Sequence, residues 1–156
     1  MKNPKISIIT VVKNNKNFIE KNILSLLSQN YKNYEHIIVD GKSTDGTLEI
    51  IEKYKNSIKC LISENDNGIY DAINKGINLA TGDIIGILNS DDYFYENALE
   101  IVKTYFEKNT EIDFLFGSVH KFFLRHGFNP KKIYWTFNFY TTHSVGFFIK
   151  KKIPKK

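Results

Sequence analysis

The sequence predicts an α/β chain with a mostly parallel sheet and helices on both faces. Three observations predict it. Short, continuously apolar runs alternate with longer segments whose apolar residues recur at helical spacing. Strands that are apolar on both sides belong in a covered sheet, and parallel neighbours need crossover helices. Three acidic residues, Asp40, Glu64 and Asp91, stand at or just past strand ends, the edge where ligands bind in open α/β sheets.

Taken in order, Ile6 to Val12 is β-rich and reads as the first strand. Its lysine-preceded apolar run faintly suggests a leader peptide, but it is short, contains Ser7 and Thr10, and no small-residue cleavage site follows. Phe18, Ile19, Ile23, Leu24, Leu26 and Leu27 fall at helical spacing, and Ile37 to Val39 is a strand ending at Asp40. "GKSTDG" is turn and helix-capping chemistry, and Leu48, Ile51 and Tyr54 form the helical stripe after it. Ile58 to Ser63 is a third strand, and Ile69, Ile73 and Ile77 lie on one face of a helix that ends by Gly82. Ile84 to Leu88 is a fourth strand, Ala98 to Phe106 a helix, and Phe114 to Val119 a fifth strand. Beyond Lys121 the pattern loosens and aromatic residues dominate.

The 156 residues suit one domain. The single cysteine, Cys60, cannot form an internal disulfide; its apolar run predicts a buried thiol and a reducing compartment, so the chain is expected in the cytoplasm. No run is long enough to span a bilayer. The net charge of +5 is uneven: nine Lys or Arg and no acidic residue follow residue 120, against 13 basic and 17 acidic residues before it. Either the tail is a solvated lysine-rich segment, or it meets an anionic membrane surface or a phosphate-bearing substrate. It carries no recognised nucleic-acid motif, so no nucleic-acid partner is expected.

Familiar phosphate loops are excluded. In "GKSTDGT" the second glycine precedes Thr47-Leu48 rather than Lys-Ser/Thr, and no G-x-G-x-x-G follows the first strand. One Cys and four scattered His give no zinc pattern. The carboxylates remain. Asp91 and Asp92 end the fourth strand side by side, where their repulsion is relieved either by a hard divalent cation, Mg²⁺ or Mn²⁺, or by capping the helix that follows.

Four segments occur together in order: "SIITVVKNN", "SLLSQNYKNYEHIIVDGKSTDGT", "SENDNGIYDAINKGINLATGD" and "ILNSDD". In this combination the chain resembles glycosyltransferase family 2, with its GT-A-like, Rossmann-type sheet, near the branch that builds bacterial surface polysaccharide. The resemblance is strong over residues 4 to 119. It implies a single domain over 1–156, with a nucleotide-sugar-binding part at 1–119 and a partial acceptor-side region at 120–156.

The resemblance also implies roles. Thr10, Val11 and Val12 would line the nucleotide base, Asp40 would accept a hydrogen bond from a uracil edge, and Ser43 and Asp45 would shape the loop beside it. Asp66, Asp71 and Lys75 match a segment near the sugar and diphosphate. Asn89, Ser90 and Asp91 stand for the DxD motif: Asp91, with Asp92, would hold Mn²⁺ or Mg²⁺, and Asn89 takes the place often held by a ribose-contacting Asp. Lys13 stands where an aromatic often packs near the base. The implied reaction is inverting transfer from a nucleotide-diphosphate sugar to a saccharide or lipid-linked acceptor, at the inner face of the membrane. A nucleotidyltransferase shares the sheet order, but no Gly-rich, Lys/Arg-bearing loop follows the first strand.

The general base expected in this family is an Asp after the acceptor-side strand. "THSVGFFIKKK" resembles the start of that region, with His143 at a recurrent His and Phe147 to Ile149 as its strand, but no acidic residue follows Asp113. The sequence therefore reads as the amino-terminal part of such an enzyme, with the base beyond Lys156. The alternative is an inactive nucleotide-sugar-binding remnant or a module that works with a partner. Phe137, Phe139, Tyr140, Phe147 and Phe148 are expected as exposed aromatics that invite a homodimer.

Overall fold

A computed structural model describes residues 1–117 and 146–151. The elements run β1 (Ile6–Val12), α1 (Ile19–Leu27), β2 (Tyr34–Asp40), α2 (Thr47–Glu52), β3 (Cys60–Ser63), α3 (Ile69–Leu79), β4 (Ile84–Ile87), α4 (Ala98–Lys108), β5 (Phe114–Phe116) and β6 (Phe147–Lys150). They form one sheet in the order β3-β2-β1-β4-β6-β5. The four strands β1 to β4 are parallel, and β6 runs antiparallel to both β4 and β5.

The sheet is covered on both faces, as the apolar strands require. Alternate residues of β1 point to opposite layers. Ile6 and Ile8 pack with Leu26 of α1 and Leu99, Val102 and Phe106 of α4. Val12 packs with Ile19 and Ile23 of α1 and Ile51 of α2. On the other face Ile9 and Val11 meet Ala72 and Ile73 of α3. Gly76 brings α3 this close, because a Cβ there would run into the Ile9 side chain.

Several boundaries move. β2 begins at Tyr34, three residues earlier than its apolar core suggests, because Glu35 and His36 are buried polar residues within it. β3 is shorter than expected, starting at Cys60 after a 3₁₀ turn over Lys55–Ser57. The fifth strand spans only Phe114–Phe116, and it does not pair with β4, since β6 lies between them. Cys60 is half-buried rather than buried.

The exposed-aromatic expectation fails at Phe148, which is 3 % exposed. It stands directly across from Gly86 of β4, its ring fills the space a Cβ would take, and it stacks on Phe94 at 5.9 Å. Phe147 is half-buried beside Phe114 and Phe116. Phe137, Phe139 and Tyr140 lie outside the described residues, as does His143. Part of the basic tail is structural: Lys150 is buried, and its Nζ donates to the Thr110 carbonyl at 2.7 Å, while Lys151 Nζ donates to the Ala80 carbonyl.

Two buried ionisable groups make the fold acid-sensitive. Burial alone would raise the Glu35 carboxyl, but Lys5 at 2.6 Å, the Ser7 hydroxyl and the Thr81 amide and hydroxyl outweigh it and hold it at about 2. Burial pushes His36 down from 6.5 to about 3, so it is neutral at neutral pH. Both shifts are depressions, so both stabilise at neutral pH and lose that stabilisation as pH falls. The His36 contribution fades below 6.5 and the Glu35 contribution below 4.5.

Urea unfolding midpoints should accordingly drop on acidification from 6.5, before any carboxylate titrates. His36→Gln, which has no charge to gain, should flatten the profile between 6.5 and 4.5 and make it shallower below 4.5, where the Glu35 contribution remains; an unchanged slope above 4.5 would sink the His36 assignment. Gly76→Ala should destabilise by about 1–2 kcal/mol, overpacking against Ile9 outweighing the gain in helix propensity. A thermal midpoint equal to or above wild type would show that Ile9 yields instead.

Candidate functional site

The site grows from an unequal sharing of β1. Its register with β2 continues through Val12 and Asp40, whereas its register with β4 stops at Ile9 and Ile87. The last three residues of β1 therefore lack a β4 partner. β1 to β3 and β4 fan out to opposite sides of this point, which makes it the switch where open α/β sheets bind ligands. Three loops converge here, following β1, β2 and β4.

The first two loops are zipped together. The Gly41 amide donates to the Val12 carbonyl at 2.8 Å, the Asn14 amide to Ser43 Oγ at 2.8 Å and the Thr44 amide to Asn14 Oδ1 at 2.8 Å. The Asn15 amide donates to Thr47 Oγ1 at 2.8 Å and the Lys16 amide to Asp45 Oδ2 at 3.1 Å. Asp45 also accepts from the Thr47 hydroxyl and amide, which starts α2 and holds its carboxyl below the usual range. Asp40 is fully buried, accepting from the Ser43 amide and hydroxyl and from Ser63 Oγ at 2.6 Å. Thr10 is also fully buried, its hydroxyl engaged with Asn22 and His36, and Val11 and Val12 are buried.

The loop before α3 is tied to its own helix. Asp66 Oδ1 accepts the Gly68 amide at 2.9 Å. Its other oxygen lies against Gly41, where a Cβ would collide with it. Lys75 Nζ reaches Glu64 at 2.8 Å, Asp71 at 3.2 Å and the Asn65 carbonyl at 3.0 Å. The Asn67 amide and Lys75 together hold the Asp71 carboxyl below its usual range.

The loop after β4 is a turn. The Asp92 amide donates to the Asn89 carbonyl at 3.0 Å, and Asn89 Nδ2 donates to the Asp92 carboxylate at 3.2 Å. Ser90 is buried, its Oγ accepting from Asn15 Nδ2 at 2.8 Å, which joins this turn to the zipped pair. Asp91 is exposed at the corner. Adjacent carboxylates are thus divided between jobs, Asp92 closing the turn and Asp91 facing solvent.

The chemistry of Asp91 fits a hard divalent cation held mainly by a ligand. Mg²⁺ sites of this kind use one or two carboxylates and complete the shell with substrate phosphates and water. Among the described residues no three His, Cys, Asp or Glu converge to hold an ion, so a diphosphate would have to supply the other oxygens.

Sequence reasoning missed Asn15, Asn22 and His36. Asn22 had a readable signal, since it lies three residues after Ile19 and four before Leu26 on the buried stripe of α1. A polar residue on such a stripe needs partners.

The family described as Glycosyl transferase family 2 matches residues 7–154. Among curated relatives, the UDP-Glc:alpha-D-GlcNAc-diphosphoundecaprenol beta-1,3-glucosyltransferase WfaP of Escherichia coli is 43% identical over 90 residues, 57% of this chain and 36% of its own. Glycosyltransferase GlyG of Streptococcus pneumoniae is 36% identical over 98 residues, 61% of this chain and 33% of its own. The chain spans 40% of the first relatives it matches. Residues 1–349 of S. aureus TarS superpose with a TM-score of 0.79 at 22% identity, over 94% of this chain and 47% of that one. The mannosyltransferase PcManGT of Pyrobaculum calidifontis, solved with GDP-Man and Mn²⁺, gives 0.67 at 23% identity, over 75% and 36%. These likenesses in structure show a GT-A fold, and the family match shows that the chain belongs to glycosyltransferase family 2.

Proposed function

We propose that this chain forms the donor-binding part of an inverting, metal-dependent glycosyltransferase. It would take a sugar from a nucleotide-diphosphate sugar, a UDP-sugar by likeness to WfaP and TarS, for a saccharide or lipid-linked acceptor in cell-surface polysaccharide synthesis. The observation that carries this reading is the exposed Asp91 carboxylate at the corner of a braced turn, in the gap where β1 outruns β4. WfaP is named for a UDP-sugar donor and a diphospholipid acceptor, TarS is titled with UDP-GlcNAc and PcManGT with Mn²⁺.

On this reading Val11, Val12, Asp40, Ser43 and Asp45 form the base-side wall. Asp40 acts by fixing the Gly41–Ser43 turn, and a direct bond to a base edge requires that turn to open, since its carboxylate is already engaged. Asp66, Asp71 and Lys75 shape the sugar side, Asn89 and Ser90 the ribose side. Asp91, assisted by Asp92, would hold Mn²⁺ or Mg²⁺, which when bound neutralises charge on the departing diphosphate. Transfer also needs a general base toward the acceptor hydroxyl, and we assign that role to no residue described, because no Asp or Glu follows Asp113.

A second reading is a nucleotide-sugar-binding module that completes transfer only with further residues, the chain spanning 40% of the first relatives it matches. Work at the inner face of a membrane fits the basic tail beyond Lys151, whereas Lys150 and Lys151 are committed to the fold. Among the described residues no helix is long and apolar enough to cross a bilayer.

Calorimetry with UDP, GDP and dTDP, each with Mn²⁺ or EDTA, should show Mn²⁺-dependent binding of one nucleotide, UDP above the others. Preference by tenfold is about 1.4 kcal/mol and readily resolved. Asp91→Ala should remove the Mn²⁺ dependence without lowering the thermal midpoint. Metal-dependent binding that survives in Asp91→Ala would transfer the metal role elsewhere, and absence of nucleotide binding by the folded wild type would overturn the donor-site reading. Product formation from a radiolabelled donor separates transferase from module.

A further inference from the structure

The Asp91 turn rests on a single buried side chain from α1. Asn22 is fully buried. Its Nδ2 donates to the Asn89 carbonyl at 2.7 Å and to the Asp92 carbonyl at 3.0 Å. Its Oδ1 accepts from Thr10 Oγ1 at 3.3 Å, and Thr10 in turn meets His36 Nε2 at 2.9 Å.

An amide NH₂ has two protons, and Asn22 spends both on the two ends of one turn. Asn89 and Asp92 are the first and last residues of that turn, so the spacing of their carbonyls sets the direction in which Asp91 projects. The other end of the amide is fixed to β1 and, through Thr10, to β2. Because His36 is neutral at neutral pH, it pairs with the Thr10 hydroxyl without bringing a charge into the chain of bonds. Asn15 braces the same turn from the side, through Ser90 Oγ at 2.8 Å.

We propose that Asn22 is a positioning residue for the metal carboxylate, acting on Asp91 through the Asn89 and Asp92 carbonyls and touching neither metal nor nucleotide. The inference rests on the donor-site reading for its functional consequence, but its structural half does not. Asn22 holds the turn whether or not a ligand is bound. Outer-shell partners of metal ligands typically cost roughly 10–100-fold in metal affinity when removed.

Two readouts on Asn22→Ala test this. The first is amide hydrogen exchange of the peptide spanning 89–95 in metal-free, nucleotide-free protein. The second is UDP titration with Mn²⁺ and with EDTA. Faster exchange in that peptide, with Mn²⁺-dependent affinity down at least tenfold and affinity in EDTA unchanged, supports the proposal. A merely destabilising substitution would weaken both affinities alike and speed exchange across the fold, and that outcome overturns it, as does unchanged exchange in 89–95. Where wild type shows no Mn²⁺-dependent UDP binding, the donor-site reading fails, and exchange alone decides whether Asn22 holds the turn. If Asn22→Ala does not fold, Asn22→Ser, which keeps one short donor, is measured instead with the same two outcomes.

Discussion

Everything at the site depends on β1 having two parallel partners of different length. β2 follows it to Val12 and β4 leaves it at Ile9. Backbone groups stranded in this way are costly unless something pairs with them. The chain solves this with turns: the Leu88 amide bonds to the Ile9 carbonyl and the Gly41 amide to the Val12 carbonyl, both within 3.0 Å. The gap is thus lined by loops whose positions are set by hydrogen bonds to a rigid strand, and a loop held that way can present a charged side chain in one direction.

The gap is expensive in buried polar groups, and the accounting closes. Thr10, Asn22, His36 and Asp40 are buried around it, and Gln29 and Glu35 are buried elsewhere in the fold. Among the described residues no buried side-chain nitrogen or oxygen lacks a partner. A fully satisfied network narrows the arrangements a core can adopt, whereas one missing partner costs about 1–3 kcal/mol. Gln29, two residues past the end of α1, repeats what Asn22 does near the start of that helix: its Nε2 donates to the Tyr95 carbonyl and its Oε1 accepts the Leu99 amide. The α1 segment therefore grips the connection from β4 to α4 through Asn22, through Ser25, whose Oγ accepts the Phe94 amide at 3.1 Å, and through Gln29, and that connection contains Asp91.

How much was legible follows from this. The strands and helices of the first 117 residues were readable because their periodicities are strong, and Asp40, Glu64 and Asp91 do stand at or past the carboxyl ends of β2, β3 and β4. What escaped was set by contacts distant in sequence. β2 could not be extended back to Tyr34 because Glu35 and His36 look like loop residues until Lys5, Ser7, Thr81 and Thr10 are known to surround them. The place of β5 escaped because β6, which starts 33 positions after β5 does, inserts between it and β4. At the site, acidic residues drew attention by their charge, while the amides that orient them did not, though Asn22 on an apolar stripe was visible.

The second half of the sheet corrects a reading based on charge alone. A tail with nine basic residues and no acidic one invites a surface role for all of them. Yet β6 uses Lys150 as a strand residue, its ammonium capping the Thr110 carbonyl with Asp113 nearby at 3.8 Å, while Phe148 fills the hollow over Gly86. A glycine in a strand loses packing and backbone order, and a cross-strand aromatic restores contact at that point. Since Gly86 lies on β4, three residues before Asn89, the fit of β6 against β4 supports the strand from which the Asp91 turn departs. Phe148 and Lys150 thereby support the candidate site from behind, through packing.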